Sequence, residues 1–219
     1  MALVHSPKIV TDNLIFCLDA ANLKSYGGSG TTVTDLSSSG NNATLDGATH
    51  VSGTPDYFEF GGDDDHIDLS SGMFNCNSNF TFSCWVNSDA NDNFHRTIIS
   101  SPSSGALQIR LETGDEVQIV DSYVTNVGTF SGFTASSSTW YNIVVARNSN
   151  TYSLYVDGKY ISNFTSSNTY STNPNRIGIN QDDSEDWDGK ISFISCYDIV
   201  LTAAEIKQNY NAHKGRFGL

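Results

Sequence analysis

Along most of this chain apolar and polar residues alternate in short runs, each closed by a cluster of Gly, Asn, Asp or Ser. A period of two places successive side chains on opposite faces of an extended backbone, so the pattern predicts strands with one buried face. Leu14 to Leu18 reads as the first strand, followed by a polar stretch from Ala20 to Asn42 that bends at Tyr26-Gly27-Gly28-Ser29-Gly30. Tyr57 to Phe60 and His66 to Leu69 flank the turn Gly61-Gly62-Asp63-Asp64-Asp65. From Phe80 to Val86, alternation sets Phe80, Phe82, Cys84 and Val86 on one face and Thr81, Ser83 and Trp85 on the other. Arg96 to Ser100, Ala106 to Leu111 and Val117 to Ser122 continue the pattern. Trp140 to Arg147, Thr151 to Val156 and Lys159 to Phe164 then read as a meander, its second turn the type I′ dipeptide Asp157-Gly158. Arg176 to Ile179 and Lys190 to Tyr197 supply late strands.

One helix is expected near the C-terminus. Thr202-Ala203-Ala204-Glu205 has the spacing of a capping box, Ile206 and Tyr210 share a helical face, and Gly215 ends the run. It is expected to lie as a lid over a sheet edge. No Pro-rich or charged linker interrupts the strand pattern and no repeat of solenoid period occurs, so the economical reading is one domain over residues 1–219. The expected fold class is all-β, with two antiparallel sheets and one short C-terminal helix.

Composition narrows the partners. The 24 Asp plus Glu outweigh the 11 Lys plus Arg, for a formal net charge of −13, and the basic residues form no run. Nucleic-acid binding rests on neutralising phosphates, so nucleic acid is excluded as a partner. No stretch approaches the roughly 20 apolar residues of a membrane-spanning helix, and the N-terminal segment has no signal-peptide pattern, so neither membrane insertion nor export is expected. Cys17, Cys76, Cys84 and Cys196 lack paired zinc-site spacing and are read as buried free thiols.

Several elements, taken in order, resemble the laminin G-like branch of the concanavalin A-like lectin/glucanase superfamily. They are Leu18-Asp19-Ala20, Asp35-Leu36-Ser37 with Gly40-Asn41-Asn42, and Phe58-Glu59-Phe60-Gly61-Gly62-Asp63-Asp64. The strands opening at Phe80 and Trp140, the hairpin at Leu154, the closing element at Trp187 and the segment Leu201 to Ile206 complete the match, over about residues 12–212. The resemblance implies a jelly-roll sandwich. The Asp-Ala opening and the tail from Lys214 to Leu219 also look like those of virion proteins of tailed, often marine, bacteriophages.

Glucanases of this superfamily need two or three carboxylates at alternating positions of one strand, and no strand here has that spacing. The expectation is therefore a protein that is not an enzyme. Members of the family often hold a structural Ca²⁺, and the crowded Asp182, Asp183, Glu185, Asp186 and Asp188 form the candidate site, hard carboxylate oxygens being what that ion takes. Asp63, Asp64 and Asp65 lie on a turn that can reach the same rim. Sugar recognition requires an aromatic platform beside fixed polar groups, for which Trp187, Tyr123 and Phe94 are the candidates. The leading expectation is a virion structural or adhesive protein, docked on other virion proteins at the particle surface and open to oligomerisation. The alternative is a module binding a host glycan, with or without Ca²⁺, and the third is a glycoside hydrolase.

Overall fold

The computed structural model describes residues 7–89, 94–121 and 125–219. Among these the strands are β1 Leu14–Asp19, β2 Thr32–Val33, β3 Ala43–Asp46, β4 Thr49–Val51, β5 Tyr57–Gly61, β6 His66–Leu69, β7 Phe80–Ser88 and β8 Arg96–Ser100. They continue with β9 Leu107–Leu111, β10 Val117–Asp121, β11 Thr125–Thr129, β12 Trp140–Asn148, β13 Thr151–Val156, β14 Lys159–Thr165, β15 Arg176–Ile177 and β16 Asp188–Tyr197. One helix, α1 Ala203–His213, runs into a 3₁₀ turn at Lys214–Phe217.

Two antiparallel sheets stack face to face. The first runs β14-β13-β12-β7-β16-β5-β4, with β1 also paired to β16, and the second runs β11-β10-β9-β8-β15-β6-β3-β2. Their facing sides supply the core: Phe82, Cys84 and Val86 with Ile143 and Val145 from one, and Ile67, Ile99, Ile109 and Ile119 from the other. The expected alternation on β7 holds, with Phe80, Phe82, Cys84 and Val86 inward and Trp85 outward.

The outer faces of the sheets differ. On the first, Trp85, Phe193, Val144 and Tyr197 are apolar and are covered by Ile206 and Tyr210 of α1 and by Phe217. A register shift between Ile191 and Phe193 reverses the alternation of β16, so that Ile191 and Ile194 enter the core while Phe193 turns toward the helix. The helix therefore covers a sheet face and not an edge, which corrects the sequence expectation; the reason is this second apolar surface. Thr202 caps α1 in a reciprocal capping box with Glu205, as its spacing requires. Gly158 (φ 69°) follows Asp157 (φ 52°) in the I′ turn, and a Cβ on it would lie 2.7 Å from Lys207 Cδ, so the turn and the helix packing both select glycine.

The opening loop is braced by two buried carboxylates. Asp35 accepts hydrogen bonds from the backbone N–H groups of Cys17, Ser37 and Asn41, and Asp19 accepts from Ala21 N–H and from Arg216. All four cysteines are buried and free. Burial pushes the Cys84 and Cys196 thiols well above their ordinary pKa, so neither is a nucleophile at neutral pH.

Candidate carbohydrate-binding groove

The outer face of the second sheet is polar, because alternation leaves Thr97, Gln108, Arg110 and Gln118 there while Leu107, Ile109, Leu111, Val117 and Ile119 fill the core. Arg110 Nε donates to Gln118 Oε1 at 2.9 Å, and Gln118 Nε2 donates to Thr129 Oγ1 at 2.9 Å. Gln108 Nε2 donates to Thr97 Oγ1 at 2.7 Å. Buried polar groups must find partners, and this ladder satisfies them across four strands.

The segment between β15 and β16 lies against this ladder. Its neck closes where Trp187 N–H donates to Gly178 C=O at 2.6 Å, and its interior is organised by Asn180 Oδ1, which accepts from Ser184 N–H and Glu185 N–H. Glu185 reaches onto the sheet: Arg110 Nη1 lies at 2.5 Å, Gln108 Nε2 at 2.6 Å and His95 Nδ1 at 3.0 Å from its carboxylate. Gln108, Arg110 and Gln118 are functional candidates that the fold reveals. Their signal was present, polar residues alternating with aliphatic ones in β9 and β10, but only the register shows that they meet one another and Glu185.

Trp187 is fully buried in the main core. It cannot offer its ring to a sugar, which corrects its assignment as a surface platform. Its indole instead anchors the segment, and the residues that flank it, Asp186 and Asp188, lie at the rim. There they line a groove of about 240 Å³ together with Gly62, Phe94, His95 and Ser184. Phe94 is 69% exposed, so among the described candidates it is the aromatic group that faces solvent. Tyr123 lies outside the described residues. A larger hollow of about 480 Å³ beside Asn41 and Met73 presents no exposed aromatic ring.

The five proposed calcium ligands do not fit one ion. Glu185 is committed to Arg110, Asp183 Oδ1 to Arg176 at 3.0 Å, and Asp182 Oδ1 accepts from Ser184 Oγ. Asp186 and Asp188 remain at the groove, two residues where calcium requires six to eight oxygens. The physical reason is the segment's closed neck, which distributes neighbouring carboxylates to different sides. Asp186 is nevertheless perturbed: desolvation, then the charge of Asp64, and more weakly those of Asp183 and Asp63, push its pKa up to about 6, against a backbone hydrogen bond from Asp64. The turn bearing Asp63 to Asp65 does reach this rim.

The same architecture occurs in solved proteins. The chain matches Trypanosoma rangeli sialidase with a TM-score of 0.70 at 15% identity, over 95% of its own length and 34% of that chain. It matches the binding domain of Paraclostridial Mosquitocidal Protein 1 with a TM-score of 0.70 at 18% identity, over 93% of itself and 53% of that chain. Domain 4 of a GH43 extracellular arabinanase from Geobacillus stearothermophilus, solved with arabinotriose, gives a TM-score of 0.70 at 14% identity, over 90% of this chain and 98% of that one. The chain thus spans about a third of the sialidase it matches. No curated protein sequence matches it.

These neighbours overturn the expectation of a protein that is not an enzyme, since a sialidase and a domain of an arabinanase stand among them. The carboxylate-spacing argument failed because it tested one catalytic pattern on single strands of this chain, while a sandwich of this kind also occurs as one part of a larger enzyme. Residues 60–207 match the family model described as the concanavalin A-like lectin/glucanases superfamily. With the two antiparallel sheets, the ordered elements from Leu18 to Ile206 and well over half of the chain under that model, the protein belongs to this superfamily.

Proposed function

We propose that this chain binds a neutral oligosaccharide in the groove between Phe94 and the Asp186–Asp188 rim. The observation that carries the reading is the exposed Phe94 ring set in one groove with the polar side chains of His95, Ser184, Asp186 and Asp188. Sugar rings present apolar C–H faces and a belt of hydroxyls, so a platform with carboxylate acceptors alongside matches their chemistry. A domain of the same fold solved with arabinotriose supports this ligand class. The acidic rim favours neutral sugars over anionic ones. Docking on a virion, the leading expectation from sequence, draws no support from the family match or from the neighbours.

Calorimetry against a panel of neutral oligosaccharides, arabinotriose included, tests the reading. Binding that weakens at least tenfold in Phe94→Ala, and again in Asp186→Asn, is the expected result. Absence of binding at millimolar ligand, or binding unchanged by Phe94→Ala, would overturn it.

A further inference from the structure

One group of side chains on the outer face of the second sheet is used neither by the core nor by the groove. On β6, alternation puts His66 and Asp68 on the outer face, with Ile67 and Leu69 inward. The antiparallel register of β3 with β6 sets Asp46 directly opposite His66. Among the described residues, these three are the one group of three or more His, Cys, Asp or Glu whose ligand atoms lie within 4.8 Å of one another.

We propose that Asp46, His66 and Asp68 bind a first-row divalent ion of the zinc class through Asp46 Oδ2, His66 Nε2 and Asp68 Oδ2. Three observations carry the assignment. The first is the ring's orientation: His66 Nδ1 donates to the carbonyl oxygen of Asp64 at 2.7 Å. A ring nitrogen facing a carbonyl must carry the proton, so in the neutral imidazole Nε2 presents its lone pair, the arrangement in which metal-bound histidines are held. The second is spacing. Nε2 stands 3.4 Å from Asp68 Oδ2 and 3.7 Å from Asp46 Oδ2. A direct charge-assisted hydrogen bond would bring these atoms to about 2.7–2.9 Å. Two ligands each about 2.0–2.2 Å from one zinc ion at tetrahedral angles are roughly 3.4 Å apart. The third is the next layer of contacts. Arg176 Nε donates to the other oxygen of Asp68, Oδ1, at 3.0 Å, which fixes that carboxylate and leaves Oδ2 for an ion.

The donor set chooses the metal class. An imidazole with two carboxylates suits zinc and its first-row neighbours, whereas Ca²⁺ and Mg²⁺ take oxygen ligands almost alone. The Asp46 side chain is 72% exposed, so the fourth position opens to solvent and holds water or an oxygen ligand from outside. The site shares no residue with the groove and does not depend on the glycan reading.

Calorimetric titration of metal-free protein with Zn²⁺, in excess Ca²⁺ and Mg²⁺, tests the assignment, with Co²⁺ as a spectroscopic probe. Expected are one equivalent of tight binding, visible d–d bands of low-symmetry Co²⁺, and a melting temperature raised by Zn²⁺. His66→Ala is expected to abolish all three, and Asp46→Asn to weaken binding at least tenfold. Asp46 is exposed, so that variant keeps its fold, which circular dichroism checks. No binding by the wild type, or equal binding by either folded variant, would overturn the proposal.

Discussion

Two ionisable side chains give the protein opposite responses to pH. His213 is buried against the Phe193 ring, and burial, with Arg216 adding to it and Asp19 opposing, lowers its pKa to about 4 from 6.5. Between those values the unfolded imidazole holds a proton that the folded one does not. The stability it contributes is therefore complete above pH 6.5 and is lost as the pH falls toward 4, by up to roughly 3 kcal/mol. Urea unfolding of His213→Gln at pH 7.5 and pH 4.5 should show a smaller drop than the wild type. Asp186 runs the other way. With its folded pKa near 6 and its ordinary value 3.8, the folded state holds the extra proton in that window, so its ionisation weighs against folding as the pH rises through 6. Asp186→Asn should be more stable than wild type at pH 7.5, with the advantage gone below pH 4, while sugar affinity falls. Trp187→Ala should destabilise by about 3–5 kcal/mol through the cavity it leaves.

At the scale of elements, the C-terminal helix and 3₁₀ turn are part of the sandwich. The Trp85 ring stacks on Phe217 with centroids 3.8 Å apart and planes 3° from parallel, and on its outer flank meets Tyr210 at 5.6 Å. Phe217→Ala should cost about 2 kcal/mol, less than a fully buried Phe because its ring is partly exposed, and should shift the Trp emission to longer wavelength. Thr202→Ala, which removes one half of the capping box, should cost about 1 kcal/mol in thermal unfolding with the emission unchanged. The helix was legible in sequence because capping is local: Thr202 and Glu205 are three residues apart. Its destination was not, because the β16 register shift that turns Phe193 outward depends on pairing with β7, more than a hundred residues earlier in the chain. The short strands β2, β3 and β4 escaped notice for a related reason. They hold only Val33, Ala43, Leu45 and Val51 as apolar residues among polar neighbours, and their pairing partners make them strands.

For the whole molecule, a net charge of −13 sets the long-range field. Neutral oligosaccharides should bind with affinities that change little between low and physiological salt, whereas sialylated or sulfated ones should be disfavoured most strongly at low ionic strength. Glycan arrays run at two salt concentrations would show this, and preferential binding of anionic glycans at low salt would contradict it. By itself the sequence determined the fold class, the faces of β7, the Asp157-Gly158 turn and the capped helix, since periodicity, turn chemistry and capping act within a few residues. The tertiary structure decided the sites. Asp182, Asp183, Glu185, Asp186 and Asp188 read as one calcium loop until the neck at Gly178 and Trp187 sent them in different directions, and Trp187 read as a platform until packing drew it into the core. Asp46 meets His66 and Asp68 through strand register, which no local pattern encodes: the residues of both proposed sites lie far apart in the chain, and only pairing and packing bring them to the same surface.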